Sequence, residues 1–314
     1  MKKFLLSLLV ATITLGSSVN AYGACKVVKA THSKVADVKG TKTCQGMAAM
    51  TNIGNDAYFM KFNINKPGEI AIGKITDFRN KKKRKTVVVP VVNSKGSSYV
   101  LEHANSMTTD GKYLYIAGTS KDKYVYRINP KDIKKGKKVK VNKTYKLDGF
   151  RIASINYYDT AVNGVKRFLV SVKKDTSKNT ATYTFRLVKI DDKKIVYDNV
   201  KFNVLGYKKG YTIGNDSYYD IAKKQLYITV FKPNDTKTIT KNAVVQYDLS
   251  VLKNKRNYEA KYVILADIDN KIERKFEIEG MFIVDGKKYV CTNSWNYNKV
   301  NAEADYIGLL KKAK

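Results

Sequence analysis

Three cysteines, four prolines, two histidines and one tryptophan are all that 314 residues contain of these types, and 27 acids face 60 lysines and arginines. Each shortage removes a class of protein. Cys25, Cys44 and Cys291 have no further Cys or His at ligand spacing, which argues against a structural zinc site. Their odd number leaves the pairing open. A Cys25–Cys44 bridge would pin the N-terminal segment and leave Cys291 a buried thiol on a strand, whereas Cys25–Cys291 would tie the two chain ends together. No phosphate-cradling glycine loop, His-Glu-x-x-His or Gly-x-Ser-x-Gly occurs. Nor does any RNP, helix-turn-helix or zinc-finger pattern accompany the positive charge, so nucleic acid is not the expected partner. After the first 21 residues no apolar run approaches the ~20 residues of a membrane helix.

What is present begins with an export signal. Met1-Lys2-Lys3 is a positive n-region, Phe4 to Leu15 an apolar h-region, and Val19-Asn20-Ala21 fits the small-residue rule for cleavage. A secreted chain starting near Tyr22 is expected, with 22–314 as one domain. Acylation at Cys25 is disfavoured, because Tyr22-Gly23-Ala24 puts an aromatic where a branched aliphatic is wanted. The excised segment carries two lysines and no acid, so a formal charge of +33 becomes +31. That charge is spread over Lys81–Lys85, Lys134–Lys140, Lys173/Lys174, Lys193/Lys194, Lys208/Lys209 and Lys311/Lys312, all between strand-like runs. Lysines so placed keep a β-protein soluble and blunt its edges. They also form a cationic shell that attracts an anionic polymer or glycan in a salt-sensitive way.

Repeats organise the rest. Met107-Thr108 leads through Asp110-Gly111 into Tyr113-Leu-Tyr-Ile-Ala and then Tyr124-Val-Tyr-Arg-Ile, a β-meander built on the strongest short-range hairpin signal. Similar units open at Gln45, Arg151, Asn215 and Glu277, at intervals of roughly 50 to 60 residues. The last unit ends after three strands at Asp305-Tyr-Ile-Gly-Leu-Leu, while Cys25-Lys-Val-Val-Lys-Ala precedes the first unit without a partner. One spare strand and one missing strand predict a closed ring: an all-β, five-bladed β-propeller in which the N-terminal strand completes the C-terminal blade. The polar stretches Asn129–Lys140 and Pro233–Lys241 are expected to be loops. A monomer is expected.

In a propeller the first strand of each blade lines the central channel, so Gln45, His103, Asn105, Arg151, Asp216 and Glu279 converge although far apart in sequence. Glu279, between Ile278 and Gly280-Met281, is badly placed for an idle carboxylate, although an ion pair with Arg151 would also account for it. Gly280 suggests close backbone approach, and the methionines following the polar residues are expected between blades. Asp216 reads equally as a turn residue bonding its own backbone, and His103 as a satisfied histidine or a proton carrier. Trp295 and Tyr297, in the expected loop Asn293–Val300, offer flat surfaces of the kind that stack on sugars.

The segments around His103 and Glu279 resemble those of secreted bacterial β-propeller proteins in general. Acids drawn from different blades are similar to the layout of five-bladed glycosidases, which implies hydrolysis with Asp216 and Glu279 as acid and base or nucleophile beside His103. Glu279, Asp216, Asn105 and Gln45 also resemble the all-oxygen Ca2+ ring of the six-bladed lactonase-type propellers. The first reading is therefore a secreted basic propeller that binds a carbohydrate or anionic envelope or matrix polymer at its channel mouth and lysine-rich rim. The second is a glycan or lactone hydrolase using the carboxylate pair.

Overall fold

Short runs in which β-branched and aromatic residues are buried form nearly every element, and turns rich in Gly, Asn and Asp separate them. The computed structural model describes residues 25–38, 40, 46–63, 69–93, 95–97, 104–117, 124–147, 152–173, 183–190, 195–206, 211–233, 239–266, 275–296, 299–300 and 306–312. The expected signal peptide and cleavage site lie outside them. Among them no helix is long and apolar enough to cross a membrane.

The chain is all-β. After β1 (Lys26–Asp37), a first antiparallel meander runs β2 (Gly46–Ile53), β3 (Asp56–Phe62), β4 (Ile70–Thr76) and β5 (Lys85–Val92). The second consists of β6 (Ser106–Thr109), β7 (Leu114–Ala117), β8 (Tyr124–Ile128) and, after β9 (Val139–Lys140), β10 (Lys143–Lys146). The third is β11 (Ser154–Thr160), β12 (Lys166–Lys173), β13 (Tyr183–Ile190) and β14 (Ile195–Val204). In the fourth, β15 (Thr212–Asp220), β16 (Gln225–Pro233) and β17 (Ile239–Asp248) are followed, after β18 (Asn257–Tyr258), by β19 (Tyr262–Ala266). The last has β20 (Lys275–Val284), β21 (Lys287–Asn296), the short β22 (Lys299–Val300) and β23 (Tyr306–Lys312).

Strand β1 supplies the missing partner of this last unit. Ala30 to Asp37 pair antiparallel with Lys312 to Tyr306, and a bulge falls between Lys34 and Ala36. The closing segment lies further along than the expected Cys25–Ala30: Lys26 to Ala30 instead pair in parallel with β19 of the preceding unit. One strand thus joins two units into a single nine-stranded sheet.

The inner strands contact one another in sequence, β2 with β6, β6 with β11, β11 with β15, β15 with β20 and β20 with β2. Apolar clusters fill the spaces between neighbouring units. Met107 and Ile116 pack with Ala48 and Met60, and Phe168 with Tyr115 and Ile152. Phe185 and Phe202 meet Tyr219 and Tyr247, while Met281 and Val290 lie with Tyr227 and Val244. Met47, Met50, Phe59 and Phe78 meet Phe282, Tyr289 and Ile307, with Ala36 and Val38 closing the gap. The methionines do sit between units.

The stretch 129–142 departs from expectation. Besides a 3-10 turn at Pro130–Asp132, it contains β9, which pairs in parallel with β5 of the first unit, and it buries Ile133 and Val139 in the cluster between the first two units. Two apolar residues among six lysines suffice, because the lysines stay in solvent while the strand edge of the neighbour supplies the ladder. Ile239 likewise belongs to β17 rather than to a loop.

Close packing has a local test. Gly73 and Phe59 are cross-strand partners, and the buried Phe59 ring occupies the place where a side chain at 73 would begin. Gly73→Ala is expected to cost about 1–3 kcal/mol through overpacking, read as a lowered urea midpoint. An unchanged midpoint would show that the ring has room to move.

Turns 54–55, 110–113, 161–165, 221–224 and 285–286, each following an inner strand, gather at one end of the molecule. Lys166 pairs with the buried Asp110 from the neighbouring turn, and Arg79 reaches both Asp285 and Asn55. Alternation along the meanders puts turns 77–84, 129–142 and 249–261 at this end too.

Candidate functional site at the inner strands

A strand lining the inside of a ring has one ladder edge facing no partner of its own sheet, so its N–H groups need other acceptors. Here hydroxyls on one inner strand serve the next. Ile155 N–H donates to Ser106 Oγ at 2.9 Å, and Tyr157 N–H to Thr108 Oγ1 at 3.0 Å. Ser106 Oγ–H in turn donates to Asp216 Oδ1 at 2.6 Å, where the Ser217 N–H also donates at 2.8 Å. Ser217 Oγ accepts from Asn156 Nδ2 at 2.6 Å and lies 2.7 Å from Ser154 Oγ, which is 2.7 Å from Ser171 Oγ. All these side chains except Thr108 are buried. A polar network therefore ties β6, β11, β12 and β15 together.

Asp216 sits at its centre with 3% exposure, and its Oδ2 has no hydrogen-bond partner among the described residues. Removal from water raises the carboxyl's pKa well above the usual carboxylate range, and the bonds from Ser106 and Ser217 oppose this without cancelling it. Burial thus favours the neutral acid over the carboxylate. Its Oδ2 lies 2.9 Å from the point where a Cβ on Gly280 would stand, and Met50 N is 3.2 Å from that same point. Only glycine lets the carboxyl come so near β20, which is the close approach expected from Gly280.

Glu279 is 4% exposed. Both acids occupy β-bulges. Ile278 pairs with Thr292 and Gly280 with Cys291, leaving Glu279 as the extra residue, while the register between β15 and β16 shifts between Ile213 and Ser217. A bulge re-aims a side chain that regular pleating would send elsewhere. Asp216 is therefore no turn residue: it lies within a strand.

Of the remaining expected residues, Asn105 and Trp295 are described. Asn105 is half-buried just before β6, and the buried Ala104 beside it has φ of 50°, a left-handed conformation costing a residue with a Cβ about 1–2 kcal/mol. Gln45, His103, Arg151, Tyr297 and Cys44 lie outside the described residues. Trp295 is corrected from loop to strand: it belongs to β21, paired with Lys275 and Val300. Cys25 and Cys291 are not joined to each other, so the end-to-end tie does not form. Among the described residues no group of three or more His, Cys, Asp or Glu comes together to hold a metal. A Ca2+ ring also fits poorly with Asp216, whose Oδ1 is committed to Ser106 and Ser217 and whose burial favours the neutral form.

Sequence reasoning passed over Ser106, Ser154, Ser217 and Asn156. The available signal was a serine in each of three inner strands, at His103-Ala-Asn-Ser106, Ile152-Ala-Ser154 and Asn215-Asp-Ser217, the first two opening their strands. It also passed over Lys61, fully buried on β3 between the ladder partners Met47 and Ala71.

No protein-family model matches this sequence, and no curated protein does. Among solved structures, an exo-β-1,3-galactanase from Phanerochaete chrysosporium, solved with β-1,3-galactotriose, is similar with TM-score 0.50 and 10% identity. That match covers 90% of this chain and 64% of the galactanase chain. A GH43_1 enzyme from Xanthomonas citri has TM-score 0.49 and 8% identity, over 89% of this chain and 90% of its own. U3-55K has TM-score 0.45 and 9% identity, over 90% of this chain and 98% of its own. At such identities the likeness is one of fold, that of the β-propeller, and the chemistry has to be read from this chain's own residues.

Proposed function

We propose that this chain is a five-bladed β-propeller that hydrolyses a glycan from the carboxyl pair Asp216 and Glu279. One observation carries the reading: Asp216 is buried, its pKa is raised by desolvation, and its Oδ2 has no hydrogen-bond partner among the described residues, on a bulge beside the residue that follows Glu279. An acid neutral at working pH is what protonation of a glycosidic oxygen requires. As the C–O bond to the leaving sugar breaks, the Asp216 proton goes to that oxygen. Glu279 either takes a proton from the attacking water or attacks the anomeric carbon itself, with water completing the reaction in a second step. The serine network fixes the acid, since Ser106 and Ser217 hold Oδ1 and leave Oδ2 to act. β-1,3-Galactan is the first substrate to assay, because the galactanase of similar fold was solved with a β-1,3-linked galactotriose.

Asp216→Asn and Glu279→Gln are each expected to lower turnover by about 100-fold or more, while circular dichroism stays that of the parent. Equal turnover by parent and both variants would remove the pair from the mechanism. A second reading, recognition of an anionic glycan without turnover, is favoured by the formal charge of +33. It predicts no product with any substrate, and binding that survives both substitutions but is lost as salt rises.

A further inference from the structure

The end of the molecule at which the inner-strand turns gather is cationic and carries apolar tips. Turn 77–84 has five Lys or Arg against Asp77, and 129–142 has six lysines against Asp132. Lys223 and Lys224 stand in 221–224 without an acid, and Lys253, Lys255, Arg256 and Lys261 face Glu259 in 249–261. Solubility alone accounts for lysines. It does not account for the company they keep. Apart from Tyr124, the large apolar side chains exposed among the described residues are Val27, Val162, Val196, Ile221 and Val251, and strand direction places every one at this end, on the third and fourth units or on β1 beside them.

Val162 and Ile221 have no role in their turns. In 161–165 the backbone closes through Gly164 N–H to the Ala161 carbonyl and Ala161 N–H to the Val165 carbonyl, and Asn163 Oδ1 accepts from Val165 N–H. Val162 stands fully exposed at the tip. In 221–224 Asp220 Oδ1 accepts from Lys223 N–H, and Lys224 takes the left-handed φ of 53°, while Ile221 is left 47% exposed. Val251, 53% exposed, borders a cavity of about 400 Å3 that Arg256, Lys261, Ser250 and Asn257 line together with Asp248 and Glu259. Asp248 Oδ1 is already engaged by the Ser250 N–H.

We propose that this end docks on an anionic lipid surface, with Val162, Ile221 and Val251 entering the interfacial layer and the surrounding lysines and Arg256 resting on phosphate head groups. Ammonium groups near a negative bilayer and apolar tips a few ångströms into it are complementary contributions. A soluble polyanion uses the first and has no use for the second, which is why lipid is favoured over polymer. The proposal is independent of the hydrolase reading: the docking turns contain neither Asp216 nor Glu279, and a failed glycan assay leaves it intact.

The test is co-sedimentation of the full chain with vesicles of phosphatidylcholine alone and of phosphatidylcholine mixed with phosphatidylglycerol. Binding is expected only to the mixed vesicles and should fall as salt rises. Val162→Ser with Ile221→Ser should weaken it by roughly tenfold, and Lys223→Gln with Lys224→Gln by a similar factor. All four positions are exposed, so thermal melts should match the parent and exclude misfolding. Absence of binding to the mixed vesicles overturns the proposal. So does equal binding to neutral vesicles. Binding that the Ser pair leaves unchanged and that dextran sulfate fully displaces also overturns it, in favour of a soluble polyanion held by charge alone.

Discussion

A chain lacking residues 1–38 is expected to lose its cooperative unfolding transition, to bind a hydrophobic dye and to aggregate. The excised strand makes two ladders, antiparallel to β23 and parallel to β19, so its removal bares an edge on each. It also takes Ala30, Ala36 and Val38 from two inter-unit clusters and the Val35 carbonyl from the Arg84 guanidinium. The loss is expected to be comparable with the whole ~5–15 kcal/mol that holds a domain together, because a ring opened at one seam leaves both flanking clusters facing water. Urea titration followed by tyrosine fluorescence and by far-ultraviolet circular dichroism measures it. Coincident, sharp transitions near the parent midpoint would mean that the seam contributes little.

Asp216→Asn is expected to have opposite consequences for catalysis and for stability, the second depending on pH. Burial raises the folded-state pKa of Asp216 above its unfolded value. Below the unfolded value the group is protonated in both states and costs nothing. As pH rises above it, the unfolded chain gains by ionising while the folded protein does not, so the parent loses stability until the folded pKa is reached, by about 1.4 kcal/mol for each unit separating the two. The Asn variant lacks this slope. The melting temperature of the variant relative to the parent should therefore rise as pH goes from 3 to 7. Asn keeps an oxygen for Ser106 and Ser217, so the network survives the exchange. A constant difference in melting temperature across this range would show that Asp216 is ionised in the folded protein.

The meanders were legible because their signals are local. Asp110-Gly111, Asn163-Gly164 and Asp285-Gly286 announce hairpins, and Gly111, Gly164 and Gly286 take the positive φ those turns need. The need for an extra strand in the last unit was legible as a deficit, but its register was not. Cys25–Ala30 and Ala30–Asp37 are both strand-like, and the choice between β19 and β23 depends on contacts with residues more than two hundred positions away. Glu279 could be singled out as an acid in apolar company, and Asp216 by its place at the entry to an inner strand. Their bulges could not, since a bulge is a mismatch between two strands and neither strand alone records it. The hydroxyl chain Ser106–Asp216 and Ser154–Ser217 was hidden for the same reason: each serine is ordinary until its partner from another unit arrives. In 129–142, composition misled because two buried residues, Ile133 and Val139, decide what six lysines conceal.

That β1 is the first strand of the described chain and pairs with the last has a kinetic consequence. Ala30 meets Lys312 across nearly the full length of the polypeptide, so the closing ladder has about the highest contact order the chain permits. The intervening meanders can form from neighbours alone, but the join must wait until the final residues are free. Refolding should be limited by that one encounter, and the waiting intermediate, with two unsatisfied edges, is the species most exposed to intermolecular pairing.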